Sequence, residues 1–387
     1  MRNRELTFVG SLAGVTAAVW LASGPLAAQS PAAVKATQPP AAATKKAWTP
    51  PRTADGHPDL QGVYDVATMT PVERPTNFGD RLVLTPEEVM AMEKYEADRQ
   101  QKNDAPLAAD RAAPPVGGQN PTPKSYLEFL ENAGGGAVGG YNNFWLAGGT
   151  RVITVNGEKR SSIIVDPLNG RIPPQKPEAR KRNAAFLAGA VSPDASESAA
   201  SGPPGAFDGP ELRPLAERCL LGFLSTAGPP SLPNYFYNNL KQIVQTPTSV
   251  MILNEMVHDA RVIRMGGTHL PQSIRKWMGD SIGRWEGDTL VVDTTNFTKK
   301  TQFQGSSDQL HVVERITRTG PNTLLYRFTI EDPETWDRAW TGEYPWVGTN
   351  EMIYEYACHE GNYSLAGMLR GARQKEADDA AKKGGKQ

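Results

Sequence analysis

The chain has 387 residues, a formal net charge of −1 at pH 7 and a hydrophobic fraction of 39 %. A nearly neutral chain has no general electrostatic attraction for nucleic acid or for anionic membranes, so neither is expected as a partner. The length allows one large domain or two ordinary ones, and the mean hydropathy of −0.46 is typical of a globular protein with some disordered length.

The first 28 residues have the three parts of a secretory signal peptide. Residues 1–4 are basic, residues 6–22 are apolar, and small residues precede a cleavage site after Ala28. We therefore expect a periplasmic or secreted protein without a membrane span after cleavage. The alternative is a retained membrane anchor, because the apolar segment is close to the length that a membrane span needs.

The next part of the chain is predicted to be irregular and helical. Residues 29–47 are rich in Ala, Pro, Gln, Thr and Lys and predict a disordered leader. Residues 48–210 predict a wrapping region, in which Thr85, Pro86 and Glu88 form a capping box that starts a helix. Asn156 and Gly157 lie between two strand-like runs and predict a β-hairpin.

Residues 211–370 predict the main domain, because apolar and polar residues alternate in short runs that are separated by turn residues. Sequential strands with short connections favour an up-and-down, lipocalin-like antiparallel β-barrel or a strongly curled sheet. The protein is thus predicted to be mainly β with a helical and irregular N-terminal part, and residues 371–387 are predicted to be a disordered tail. The predicted strands are 241–246, 249–257, 260–265, 282–285, 288–297, 309–318, 323–331 and 352–360.

Cys219 and Cys358 are the two cysteines of the chain. In an exported protein an even number of cysteines favours a disulfide bond, and two buried thiols are the alternative.

Histidines beside carboxylates are the residues most suited to general acid–base catalysis in this sequence. Imidazole titrates near neutral pH, and a neighbouring carboxylate fixes its tautomer. No two histidines have the close spacing of a typical metal site, so neither a metal nor another cofactor is expected. The candidate proton-transfer residues are His258, Asp259, His311, Glu314, His359 and Glu360, with Arg261 and Arg315 as candidate anion-stabilising residues.

Strand alternation places Glu314 on the same face as aliphatic neighbours and places His311 and Arg315 on the opposite face. A carboxylate among aliphatic side chains has a raised pKa unless it is paired. Glu314 is therefore predicted to be either a catalytic acid–base residue or one half of a buried ion pair. The candidate partners in such a pair are Arg261, Arg264 and Arg315.

Aromatic residues are concentrated in the C-terminal part of the chain. They are predicted either to pack the core or to line a pocket for a planar, apolar or sugar-like ligand. Residues 332–346 are rich in tryptophan and are predicted to form a lid over such a pocket. The candidate ligand-binding residues are Trp277, Tyr326, Phe328, Trp340, Tyr354 and Tyr356.

Three segments, 48–62, 162–174 and 283–292, resemble a large family of exported and mostly uncharacterised bacterial proteins. The last of them has the sequence Gly-Arg-Trp-Glu-Gly-Asp-Thr-Leu-Val-Val. The resemblance covers most of the mature chain and implies export, but it implies no particular activity.

The residues themselves favour an exported enzyme that acts on a small carbohydrate-like or aromatic molecule by metal-independent acid–base chemistry, as a lyase, isomerase or hydrolase. A non-catalytic periplasmic barrel that binds a small molecule is the alternative. A surface or assembly protein without a pocket is a third hypothesis.

Overall fold

The computed structural model describes residues 48–104, 148–190, 207–222, 228–234, 237–301 and 303–384. The predicted signal peptide and the predicted leader lie outside these residues. None of the helices in the described ranges combines the length and the apolar composition that a membrane crossing needs.

The described residues contain a long β-sheet, a short hairpin and three long helices. The helices are α1 (Pro86–Asp104), α2 (Pro177–Ala190) and α3 (Tyr363–Gly384). The strands are β1 (Gly62–Asp65), β2 (Thr154–Val155), β3 (Glu158–Lys159), β4 (Ile164–Asp166), β5 (Leu240–Gln245), β6 (Ser249–Asn254), β7 (Ala260–Met265), β8 (Asp280–Glu286), β9 (Thr289–Thr295), β10 (His311–Gly320), β11 (Thr323–Glu331) and β12 (Trp340–Thr349).

Nine strands form a closed barrel, which confirms the predicted fold class. Strands β5 to β12 follow one another in chain order, and β1 closes the ring by pairing with both β5 and β12. Closure matters because an unpaired strand edge is a template for aggregation. One neighbouring pair, β7 and β8, is parallel and departs from a purely antiparallel meander.

The last barrel strand is not where the sequence predicts it. The prediction of a strand at 352–360 is wrong, because these residues are irregular and the strand is β12. Residues 340–346 of the predicted lid belong to β12, so this part of the segment is barrel wall and not a lid. Pro345 and Gly342 mask the alternation of β12, since both residue types are unfavourable within strands. Tyr354 and Tyr356 therefore do not share a strand face.

The barrel interior is packed with aromatic side chains. Tyr326 stacks on Trp346 with 4.8 Å between ring centroids, and Phe328 meets Trp340 edge-on at 5.9 Å. All four side chains are 0 % exposed. Tyr326, Phe328 and Trp340, which are candidate ligand-binding residues, are thus core residues, in agreement with the alternative interpretation of the aromatic cluster.

Two local predictions in the N-terminal region are confirmed. The Thr85 amide donates to Glu88 Oε2 at 2.8 Å, and the Glu88 amide donates to Thr85 Oγ1 at 3.2 Å, which completes the capping box of α1. Asn156 and Gly157 form the turn between β2 and β3, with φ angles of 53° and 83°. Both angles lie in the left-handed region that Asn and Gly tolerate best.

The C-terminal segment is tied to the rest of the molecule. Cys219 and Cys358 form the predicted disulfide bond, with their Cα atoms 5.7 Å apart. Beyond it, the structure has α3 where the sequence predicts a disordered tail. Ion pairs one turn apart, such as Lys375 to Asp379 at 2.9 Å, contribute to this helix.

Candidate functional site

The eight candidate catalytic residues do not converge on one site. They occupy four separate places: the barrel interior, the outer wall, one end of the barrel and an exposed turn. Arg261 and Glu314 lie inside, His311 and Arg315 lie on the outer wall, His258 and Asp259 lie at the barrel end, and His359 and Glu360 lie in the turn before α3.

Glu314 is half of a buried ion pair, which is one of its two predicted roles. Its two carboxylate oxygens accept hydrogen bonds from Nη1 and Nη2 of Arg261 at 2.5 and 2.7 Å. The Tyr326 hydroxyl donates a further bond at 2.8 Å. Burial lowers the pKa of Arg261, but the charge and the hydrogen bonds of Glu314 together outweigh burial and raise that pKa above its ordinary value. Both oxygens of this carboxylate are therefore hydrogen-bonded to groups inside the barrel.

The other two candidate partners of Glu314 are engaged elsewhere. Arg315 points outward and contacts Glu286 at 2.7 Å. Arg264 contacts Asp280 at 2.8 Å. The alternation of residues along β10 thus correctly predicts that Glu314 points into the barrel and that Arg315 points outward.

His311 belongs to an array of alternating imidazoles and carboxylates on the outer wall. Its Nε2 lies 3.1 Å from Asp293, and its Nδ1 lies 3.2 Å from Glu331. His269 likewise lies 2.9 Å from the other oxygen of Asp293 and 3.2 Å from Asp280. The two carboxylates beside His311 suit a protonated ring that donates from both nitrogens.

The electrostatics of His311 agree with this geometry. The hydrogen bond with Asp293 is the main cause that raises the pKa of His311, and the same bond lowers the pKa of Asp293. Sequence reasoning misses Asp293 and His269 as members of this array. Within the described ranges, no group of three or more His, Cys, Asp or Glu side chains is arranged to hold a metal ion.

The barrel end contains a residue that sequence reasoning misses, Lys241. It lies on the inner face of β5, is 0 % exposed, and its Nζ has no hydrogen-bond partner. Burial lowers the pKa of Lys241 to about 7, although Asp259 and Glu255 act in the opposite direction. Burial also raises the pKa of Asp259 to about 7, against the effects of His258 and of the Gly222 amide.

The backbone that leads to Asp259 is strained. Val257 and His258 have φ angles of 61° and 50°. A β-branched residue such as valine rarely adopts this region, and the cost of such a residue is on the order of 1–3 kcal/mol. The strain is held where β6 ends and β7 begins, and the His258 ring is 3.2 Å from the Tyr356 carbonyl.

A cleft of about 1930 Å³ lies on the outside of the barrel, along the seam where β1 meets β12. One wall is formed by the barrel, and the others include residues 148–154 and residues 350–358. Tyr237, Tyr354 and Tyr356 line it, and the Tyr237 and Tyr356 rings are 6.4 Å apart at an angle of 22°. Two of the six candidate ligand-binding residues are therefore in one cavity.

The cleft is also acidic. Asp65, Glu217, Glu255, Glu351 and Glu355 line it, together with the two basic residues Arg151 and Lys159. Burial raises the pKa of Asp65, and the charge of Glu351 adds to that effect. Carboxylates of like charge are thus close enough to influence one another.

The remaining candidates lie apart from the cleft. Trp277 is partly buried on the connection between β7 and β8, where its carbonyl accepts a hydrogen bond from Thr301 at 2.7 Å. His359 and Glu360 are exposed. None of the eight candidate catalytic residues is among the described residues that line the cleft.

No protein-family model, curated protein or solved structure matches this chain. The resemblance to exported bacterial proteins therefore stays a prediction. The class of molecule is given by the fold, a closed nine-stranded β-barrel with a disulfide bond and an external cleft.

Proposed function

We propose that this chain is an exported, non-catalytic protein that binds a small organic molecule in the cleft at the β1–β12 seam. The observation that carries the proposal is a cavity of about 1930 Å³ lined by three tyrosines. Ligand pockets in proteins commonly measure about 300–1,000 Å³. The cleft therefore has room for an extended ligand, such as an oligosaccharide or a polycyclic aromatic compound.

The lining suits such a ligand chemically. A tyrosine offers an apolar ring face for stacking and a hydroxyl for hydrogen bonding. Carboxylates such as Glu351 and Glu355 accept hydrogen bonds from hydroxyl groups, and Tyr354 remains 66 % exposed and thus accessible. Stacking faces and acceptors together are the requirements for binding a polyhydroxylated or aromatic molecule.

Binding is favoured over the acid–base enzyme because of where the ionisable groups lie. The cleft contains none of the predicted catalytic residues, and Glu314 is consumed in an ion pair. Export is part of the proposal: the disulfide bond is of the kind that persists in oxidising compartments, and residues 1–28 have the pattern of a signal peptide.

The test begins with the full chain purified from a bacterial periplasm, examined by native mass spectrometry for a co-purifying molecule. Cellohexaose and 2-naphthol are then titrated as extended-sugar and planar-aromatic probes, with binding measured by calorimetry. Substituting Tyr356→Ala should weaken binding roughly 2- to 12-fold, the loss expected for one aromatic contact.

Tyr95→Ala is the matched control, because Tyr95 lies on α1, is 51 % exposed and does not line the cleft. It should leave the affinity unchanged. The proposal is overturned if neither probe binds and no molecule co-purifies, or if Tyr354→Ala and Tyr356→Ala bind as the unmodified protein does.

A further inference from the structure

Lys241 presents a buried amine that has no hydrogen-bond partner among the residues that the structure describes. Its backbone pairs with Tyr64 of β1 and with Asn254 of β6, so its side chain is held inside the barrel near the end. The residue is 0 % exposed and its Nζ makes no hydrogen bond. An unpaired ammonium ion in such a place costs several kcal/mol, which favours the neutral amine. A neutral amine has a free electron pair and is a nucleophile.

Asp259 provides the complementary group. Its Oδ2 is buried and also lacks a hydrogen-bond partner, while the Gly222 amide donates to the carboxylate. Asp259 and Glu255 are near enough for their charges to act on Lys241, yet neither is bonded to Nζ. The other charged neighbour, Arg261, is fully occupied by Glu314. Asn254 is the cross-strand neighbour of Lys241, and its amide donates to the Asp259 carbonyl at 2.8 Å, so the unpartnered amine and the unpartnered carboxylate oxygen belong to neighbouring residues.

Asp259 is the more exposed member of the pair. Asp259 is partly exposed and its neighbour His258 is exposed, whereas Lys241 is closed off from solvent. The strained backbone at Val257 and His258 carries the carboxylate to this position. Because Lys241 is 0 % exposed, a molecule that reaches its amine must be small.

We propose that Lys241 and Asp259 form a covalent site for small aldehydes and ketones, independent of the cleft. The Lys241 amine attacks the carbonyl carbon, a C–N bond forms, and the carbonyl oxygen takes a proton from the Asp259 carboxyl group. Loss of a nitrogen proton to the Asp259 carboxylate gives the neutral carbinolamine. Asp259 then returns a proton to the hydroxyl group, which leaves as water while the nitrogen electron pair forms the C=N bond. These steps leave an iminium ion and the Asp259 carboxylate, which takes the remaining nitrogen proton, so that the overall products are one neutral imine and one water molecule.

The test traps the imine in the folded, full chain. Propanal is added with sodium cyanoborohydride at pH 7, and the propylated lysines are identified by peptide mapping. Lys299, whose side chain is 83 % exposed, is the internal reference. The buried, unpaired amine of Lys241 favours the neutral form, whereas lysines in water are mostly protonated at neutral pH, so we expect Lys241 to be labelled at least about tenfold faster. The ratio should fall at pH 9, where exposed lysines lose more of their protons.

Matched variants separate the roles of the two residues. Asp259→Asn should slow labelling of Lys241 several-fold, whereas Asp337→Asn, at a position with an 82 % exposed side chain, should have no effect. Labelling of Lys299 with no label on Lys241 overturns the proposal, and unchanged labelling in Asp259→Asn removes the role of Asp259. Tyr356→Ala should label normally, so failure of the cleft proposal and failure of this one are distinguishable. The decisive measurement is peptide mapping of the unsubstituted protein, so it does not depend on whether a variant without the amine, such as Lys241→Met, folds.

Discussion

Substituting Glu314→Gln should destabilise the barrel severely, although the two side chains have nearly the same shape. Glu314 is 0 % exposed and accepts three hydrogen bonds, from Arg261 Nη1 and Nη2 and from the Tyr326 hydroxyl. The amide of glutamine carries no charge, so it leaves the Arg261 guanidinium buried without a counterion. Breaking a buried pair in this way typically costs about 3–5 kcal/mol.

The free energy of unfolding is measured by guanidinium denaturation followed by circular dichroism, in Glu314→Gln, in Arg261→Met and in the double variant Arg261→Met/Glu314→Leu. Because the double variant has no unpaired charge, it should lose less free energy than either single variant. The control is Arg315→Met on the outer wall, whose pair with Glu286 at 2.7 Å is 41 % and 40 % exposed and should contribute at most about 1 kcal/mol.

Two results would contradict this prediction: a loss of less than about 1 kcal/mol in the free energy of unfolding of Glu314→Gln, or a double variant that is less stable than both single variants. Either result would mean that the desolvation of the pair, and not its mutual attraction, dominates this part of the barrel.

Three further predictions follow from contacts described above. The pKa of His311 is raised in the folded protein, so this residue stabilises the fold fully at pH values below its pKa in the unfolded chain, and the stabilisation is lost as pH rises through its pKa in the folded protein. Thermal melts across pH should show this loss, and His311→Asn should abolish it. The pKa of Asp293 is lowered, so its contribution is present above its unfolded value and is lost as pH falls through the folded value, an acid-side loss that Asp293→Asn should remove from the same melts. Reduction of the bond between Cys219 and Cys358, 139 residues apart, should lower the free energy of unfolding by roughly 4–5 kcal/mol in the chain-entropy model, and an unchanged denaturation midpoint in dithiothreitol would contradict this.

Alternation of residues is the part of the fold that the sequence predicts best. The parity of β10 places Glu314 inside and His311 and Arg315 outside, and the structure agrees because a barrel wall has only two faces. The same rule fails for β12, where Pro345 and Gly342 interrupt the pattern although every second residue still points inward. Residue types therefore predict a strand least well where the strand contains residues, such as proline and glycine, that are unfavourable in strands.

The candidate sites are harder to predict because they depend on neighbours that are distant in the sequence. Parity does not say which arginine pairs with Glu314, since Arg261 is 53 residues away. Lys241 is missed because a lysine in an alternating strand normally points to solvent, and only the register of β5 shows that it points inward. Tyr354 and Tyr356 do line one cavity, but through an irregular segment and not through a strand.

The short strand β1 has a consequence for how the protein folds. It emerges early from the ribosome, but both of its partners, β5 and β12, are encoded much later, and β12 is the last strand of the barrel. Until β1 is inserted, β5 lacks a partner on one side and residues 347–349 of β12 are unpaired on that side, the arrangement that invites association between chains. Contacts of such long sequence separation also slow folding, because the loop must close before the contact is gained. Completion of the barrel is therefore a late step, and the four residues of β1 protect the edges of the sheet from pairing with other copies of the chain.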